Sequence, residues 1–418
     1  MIKKLLSLLL LIQFSITVNC HGQDSLYARE VIKELTSEKY NGRGYVKEGD
    51  KKAAAYIAAE FRKHGLQPLN SKNYFQEFGF PVNTFPSCMD VSINGTTLTA
   101  GKDFIVDPGM KKTTGQYDIV RIEKNMVLYS KAEISGKWIL LDTVGTGIQI
   151  RKDDWTAWKQ NIFGAAGMII VQPVKLTWSV STEEVKFPVI EIVKSALPAS
   201  PANIKLNICN KFIPRHETQN VIGYIPGKSN PDSYLFISAH YDHLGRMGTN
   251  AWFPGANDNA SGIAMLLNLA KHYAQHPPEQ SIVFIAFAGE EAGLIGSMYY
   301  TENPAVPLTS IKFLLNLDLL GTGDEGMMVV NATEYPQHFS RLDSINTQQQ
   351  LLPKIGQRGK AANSDHYFFT EKGVPAFFCY TLGGISAYHD IYDVEKTLPL
   401  TRFKEVFQLF TEFLDTTK

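Results

Sequence analysis

Three continuous apolar runs mark the second half of the chain: Leu235-Phe236-Ile237, Ile282-Val283-Phe284-Ile285-Ala286-Phe287 and Phe313-Leu314-Leu315. A strand with one wet face alternates apolar and polar positions, so short unbroken runs predict strands covered on both faces. Between them, apolar residues recur at helical spacing over 263–273 and 294–300. Strands alternating with helices predict an α/β fold, a mixed central sheet flanked by helices.

The first half has a different texture. Ala53, Ala54, Ile57, Ala58 and Phe61 fall on one helical face, with Gly65 as a stop and Pro68 just beyond. From about Phe80 the pattern turns strand-rich. Ser92-Ile93-Asn94-Gly95-Thr96-Thr97 reads as a hairpin, because Asn-Gly supplies the positive φ of a tight turn. Trp138-Ile139-Leu140-Leu141 and Gly167-Met168-Ile169-Ile170-Val171 read as strands, and a further strand begins at Phe187. The stretch 155–166 reads as a short helix ending in glycines.

Composition narrows the class. The 418 residues allow two or three domains at roughly 150 residues each. Lys plus Arg and Asp plus Glu both number 41, so no net basic surface favours nucleic acid as a partner. At 44% hydrophobic and 20% charged, the chain is that of an ordinary globular protein. The four cysteines, Cys20, Cys88, Cys209 and Cys379, contain no C-x-x-C pair, which excludes a zinc ribbon or dithiol motif.

Residues 1–24 read as an export signal of bacterial type. Lys3 and Lys4 precede an apolar stretch, 5–16, that is too short to span a bilayer. Cys20 stands where a lipoprotein signal places its lipidated cysteine, while Gln23-Asp24-Ser25 reads as an ordinary mature start, and both readings stay open. The expected location is periplasmic, outer-membrane-anchored or extracellular, with no later membrane span. Export permits disulfides, and Cys88 with Cys209 is the pair to consider.

Each apolar run ends in acid or imidazole. His240-Tyr241-Asp242-His243 follows the first, and Asn257-Asp258-Asn259-Ala260-Ser261-Gly262 opens the next helix. Gly289-Glu290-Glu291 follows the second run and Asn316-Leu317-Asp318 the third, with Ser364-Asp365-His366 and Tyr388-His389-Asp390-Ile391-Tyr392-Asp393 near the end. In open α/β sheets the carboxyl ends of strands converge on one crevice. Alone, His240 would read as an ordinary hydrogen-bonded histidine, Asp258 as a helix cap and Glu290-Glu291 as acids favoured by a helix dipole. Together they would crowd several carboxylates into one place, which calls for bound cations. Imidazole and carboxylate donors suit zinc or a similar divalent ion, and five strong ligands suggest two.

The succession His240-x-Asp242, Asn257-Asp258-Asn259-x-Ser261-Gly262, Gly289-Glu290-Glu291-x-Gly293-x-x-Gly296-Ser297, Asn316-x-Asp318 and Tyr388-His389-x-x-x-Asp393 resembles the co-catalytic zinc aminopeptidases, metallopeptidase family twenty-eight, which also includes glutamate carboxypeptidase. The likeness covers roughly 215–418, and 41–68 is similar to the family's opening helix. More weakly, Gly136-Lys137-Trp138 through Leu141 and Gly164 through Ile170 resemble a protease-associated domain. The implied organisation is a signal over 1–24, a first catalytic piece over 25–84, an inserted β-rich protease-associated domain over 85–215, and a second catalytic piece over 216–418.

The resemblance further implies roles. Asp258 would bridge two zinc ions, Glu291 and His389 would complete one site, and His240 and Asp318 the other. Glu290 would act as general base toward a hydroxide bridging the ions. Asp242 and Asp393 would orient His240 and His389, while His243 is expected to be structural. Tyr380 and His366 are candidates for the substrate pocket. The implied activity is hydrolysis of N-terminal peptide bonds by an exported enzyme with peptides as substrates. A glutaminyl cyclase, with one zinc, shares the fold; a carboxypeptidase of the same family is the other alternative, although such relatives carry a long C-terminal helical domain and only about 30 residues follow His389 here. A non-catalytic binding module would predict a substituted ligand or base, and none is substituted.

Overall fold

The computed structural model describes residues 25–69, 72–122, 130–142, 144, 160–161 and 164–417. The expected signal, with Cys20, and most of the expected helix over 155–166 lie outside the described residues.

A nine-stranded sheet carries the site. At its centre Asn230–His240 runs parallel to both Gln280–Phe287 and Ile311–Leu317, and the last is parallel to Ala376–Leu382. Lys211–Ile225 and Gly326–Val330 flank this parallel core antiparallel, so the sheet is mixed. The apolar runs are strands covered on both faces. Leu235, Ile237 and Ala239 belong to one buried cluster, with residues of the helices Ser25–Leu35, Gly49–Lys63, Gly262–Gln275 and Phe403–Asp415. Phe236, Val283, Ile285, Phe287 and Leu314 point the other way, onto Tyr300 and Phe369 of the helices Ile295–Glu302 and His366–Glu371. Each such side chain contributes roughly 1.5–3 kcal/mol on burial, which accounts for runs lacking polar positions.

Register then sets the chemistry. His240 pairs with Phe287, and Ser238 with Asn316, so His240, the turn after Phe287 and Asp318 reach one edge of the sheet at one level.

A second, eight-stranded sheet lies between 89 and 208, with Val91, Phe104, Trp138, Ile169, Ile190 and Ile204 in a buried cluster that also takes in Leu244, Met247, Ala251 and Phe253. The chain leaves the larger sheet through Phe75–Thr84 and returns through Lys211–Ile225, and these two strands pair antiparallel with Thr84 opposite Lys211. Cys88 and Cys209 form a disulfide at this neck, with their Cα atoms 5.1 Å apart. The Asn94-Gly95 turn adopts φ of 50° and 81°, as its hairpin role requires. Among the described residues no helix is long and apolar enough to cross a membrane.

Candidate active site and metal centre

Five potential ligands meet at the carboxyl edge of the parallel strands. His240 Nε2 lies 3.4 Å from Asp258 Oδ1 and 3.4 Å from Asp318 Oδ1. His389 Nε2 lies 3.0 Å from Asp258 Oδ2 and 3.2 Å from Glu291 Oε2. The two oxygens of Asp258 therefore face different histidines, and two donor groups share one carboxylate. Every sequence-expected ligand takes part.

The residues around Asp258 explain the spacing of its motif. Asn259 donates to Leu317 O at 2.9 Å and accepts from Gly262 N at 2.9 Å. Ser261 accepts from Leu320 N, and Asn257 from Gly321 N, both at 2.8 Å. The loop is thus stitched to the chain just beyond Asp318. A Cβ on Gly262 would fall 2.2 Å from Asn259 Oδ1 and 2.7 Å from Leu317 O, so only glycine fits.

Beneath the loop lies Arg43, fully buried. Its guanidinium donates to Tyr241 O at 2.7 Å, Pro254 O at 2.6 Å, Gly255 O at 2.8 Å, Asp258 O at 3.0 Å and Leu35 O at 3.3 Å. The Asn41-Gly42-Arg43-Gly44 likeness flagged this stretch without assigning Arg43 a role. Asp393 accepts from Asn257 N at 2.8 Å and Asp258 N at 3.0 Å. This corrects the expectation that Asp393 orients His389. It steadies the backbone of Asp258 instead, and His389 Nδ1 donates to the backbone oxygen of Trp178 at 2.9 Å.

Asp242 is more than a partner of His240. His240 Nδ1 is 3.2 Å from the Asp242 backbone oxygen and 3.9 Å from Oδ1. The carboxylate accepts from Glu290 N at 3.2 Å, Glu291 N at 3.3 Å and the Tyr45 hydroxyl at 2.6 Å. It thereby fastens the Glu290-Glu291 turn to the strand end carrying His240. His243 is buried, with Nδ1 2.7 Å from Glu291 Oε1, and it holds that acid in place. Ser364 donates to Asp318 Oδ2 at 3.3 Å and accepts from Asn316 at 2.8 Å.

Charge and burial conflict here. Burial opposes ionisation of Asp258, but the hydrogen bond from His240 and the neighbouring His243 and His389 hold its carboxyl well below the usual range. Burial pushes Glu290 well above it, against the pull of His240 and reinforced by Glu291, Asp365 and Asp318. Asp318 is raised too, mainly by burial and against the pull of His240, whose Nε2 lies 3.4 Å from its Oδ1. Unpaired buried acids are costly unless a cation is present. Two imidazoles and three carboxylates are donors that suit zinc, so the residues fit the metal the sequence implies.

A cavity of about 190 Å³ opens over this edge, bounded by His240, Asp258, Glu290 and Asp318 below and by Phe378, Tyr380 and Tyr388 at the side. Glu290 opens onto it, while Glu291 turns toward His243 and His389. Tyr380 lines the cavity as expected. His366 does not: its ring is fully buried against Phe378, where burial lowers its pKa to about 4, so its place as a pocket residue is corrected.

Comparison with known proteins agrees with this geometry. Residues 220–414 match Peptidase family M28. The aminopeptidase YwaD of Bacillus subtilis (strain 168) is 26% identical over 361 residues, spanning 83% of this chain and 74% of that protein. A probable zinc metalloprotease of Pyricularia oryzae is 39% identical over 111 residues, 26% of this chain and 22% of its own length. Among solved structures, BSAP, a zinc aminopeptidase from Bacillus subtilis, superposes with a TM-score of 0.71 at 21% identity over 94% of each chain. An aminopeptidase from Aneurinibacillus sp. strain AM-1 does so at 0.65 and 20% identity, over 95% of this chain and 94% of that one. These likenesses speak for the fold. The region that matches Peptidase family M28 contains His240, Asp258, Glu290, Glu291, Asp318 and His389.

Proposed function

We propose that the chain is an exported zinc aminopeptidase that holds two ions, one by His240, Asp258 and Asp318 and the other by Asp258, Glu291 and His389. The observation that carries this is the sharing of Asp258 between two donor groups, with Glu290 left open to the cavity. Bound divalent ions supply a Lewis acid for the scissile carbonyl and acidify the attacking water. Glu290, raised by burial, takes the proton of that water and returns it to the departing amine nitrogen, so no net proton is consumed. Asp242 holds the Glu290-Glu291 turn in the pose this transfer needs.

The names of the Bacillus relatives support an aminopeptidase with zinc. Export is supported by the leader-like 1–24, and the Cys88–Cys209 disulfide suits an oxidising compartment. The eight-stranded sheet is read as a protease-associated insertion. A release assay on free and N-acetylated peptides tests the activity. Sequential loss of N-terminal residues from free peptides alone is expected. Cleavage of acetylated peptides from the C-terminus, or pyroglutamate formation from glutaminyl peptides with one zinc bound, would remove the proposal.

A further inference from the structure

His389 is set by a residue from the other sheet's segment. Trp178 and His389 exchange two hydrogen bonds: Nδ1 of His389 donates to Trp178 O, and Trp178 N donates to His389 O, both at 2.9 Å. With its proton on Nδ1, the ring presents the Nε2 lone pair to the space between Asp258 and Glu291. Trp178 is itself anchored twice. Its ring stacks on Phe253 with centroids 4.8 Å apart, and its Nε1 donates at 2.9 Å to Val106 O in the strand Phe104–Val106 of the smaller sheet. Nearby, Lys175 donates to Ser386 O at 2.7 Å and pairs with Asp390 at 3.4 Å, holding both sides of the His389 turn. His389 sits at φ 54°, in the left-handed region that few non-glycine residues occupy.

We propose that the 175–178 segment is a strap by which the smaller sheet positions the His389 metal site, with Trp178 as positioning residue, so that loss of the strap weakens one ion and spares the other. This rests on the two-ion reading above. Among the described residues the His240–Asp258–Asp318 group has no hydrogen bond to the strap, and its partners, Asp242 and Ser364, lie in the loops after the strand Asn230–His240 and before the helix His366–Glu371.

Cobalt titration of the metal-free full chain, followed by visible absorption and competition with a chelator, tests it. Wild type is expected to bind two ions. Trp178→Ala keeps the backbone oxygen that His389 bonds but loses the ring that anchors it to Phe253 and Val106, so it should bind the first ion as wild type does and the second about 10-fold more weakly, the low end of what disturbing an outer partner of a ligating histidine costs. Trp178→Phe, which keeps the stack, should restore most of the affinity. Lys175→Met leaves the core intact and should weaken the same ion several-fold; it carries the test should Trp178→Ala fail to fold. Unchanged affinity for both ions in Trp178→Ala or Lys175→Met, or equal weakening of both, overturns the strap while leaving the two-ion reading in place. A wild type that binds one ion overturns that reading, and the strap with it.

Discussion

Replacing Arg43 by Met should be among the most damaging single changes in the protein, although Arg43 touches no substrate. The guanidinium is fully buried and serves five backbone oxygens, three of them at 2.8 Å or less: Tyr241, Pro254 and Gly255. Charged hydrogen bonds contribute roughly 1.5–3 kcal/mol each, so those three alone amount to about 4.5–9 kcal/mol. The methionine recovers about 2 kcal/mol through its apolar stem, and the arginine no longer has to be desolvated. The difference is about 2.5–7 kcal/mol, and the relief of desolvation brings the net loss toward the lower end of that range. Arg43→Lys should recover less than half, since one ammonium cannot reach carbonyls on two sides of a planar fork. Urea unfolding of the metal-free protein, followed by circular dichroism, reads the difference. Because Arg43 also holds Asp258 O, weaker zinc binding should accompany the loss. An Arg43→Met protein within 1 kcal/mol of wild type would refute the reasoning.

Glu290→Gln should keep its metal and lose about 10²–10⁴ in kcat, because the group is open to the cavity; since Glu290 also stands near His240 and Glu291, loss of metal instead would reassign it as a ligand. Cys88→Ser with Cys209→Ser opens a loop of 121 residues and should cost about 4–5 kcal/mol by chain entropy, measured as a fall in the urea midpoint; an unchanged midpoint would show that the paired strands at the neck suffice. Asp393→Asn keeps only one acceptor for the two N–H groups of Asn257 and Asp258 and should weaken both ions together, in contrast to loss of the strap.

The central sheet was legible because its strands are covered on both faces, which leaves unbroken apolar runs and lets the acids at their ends be read as neighbours. Phe75–Thr84 escaped notice: Gly79 and Pro81 break its pattern, and the pairing tolerates the proline through a register shift opposite 213–216. The residues that meet at the site were legible from their order and spacing. Their supports were not, because a sequence shows neighbours along the chain and these contacts cross it. Arg43 reaches Asp258 over 215 positions and Trp178 reaches His389 over 211. The resemblance implies that Asp393, four residues after His389, orients that ring, yet with His389 at positive φ the acid meets the 257–258 backbone.

Zinc titration of the metal-free chain, with N-terminal residue release measured at each step, tests the central claim most directly. The account predicts two zinc ions per chain and activity toward free but not acetylated peptides that depends on bound metal. Activity surviving complete metal removal, or saturation at one ion with no hydrolysis, would contradict it.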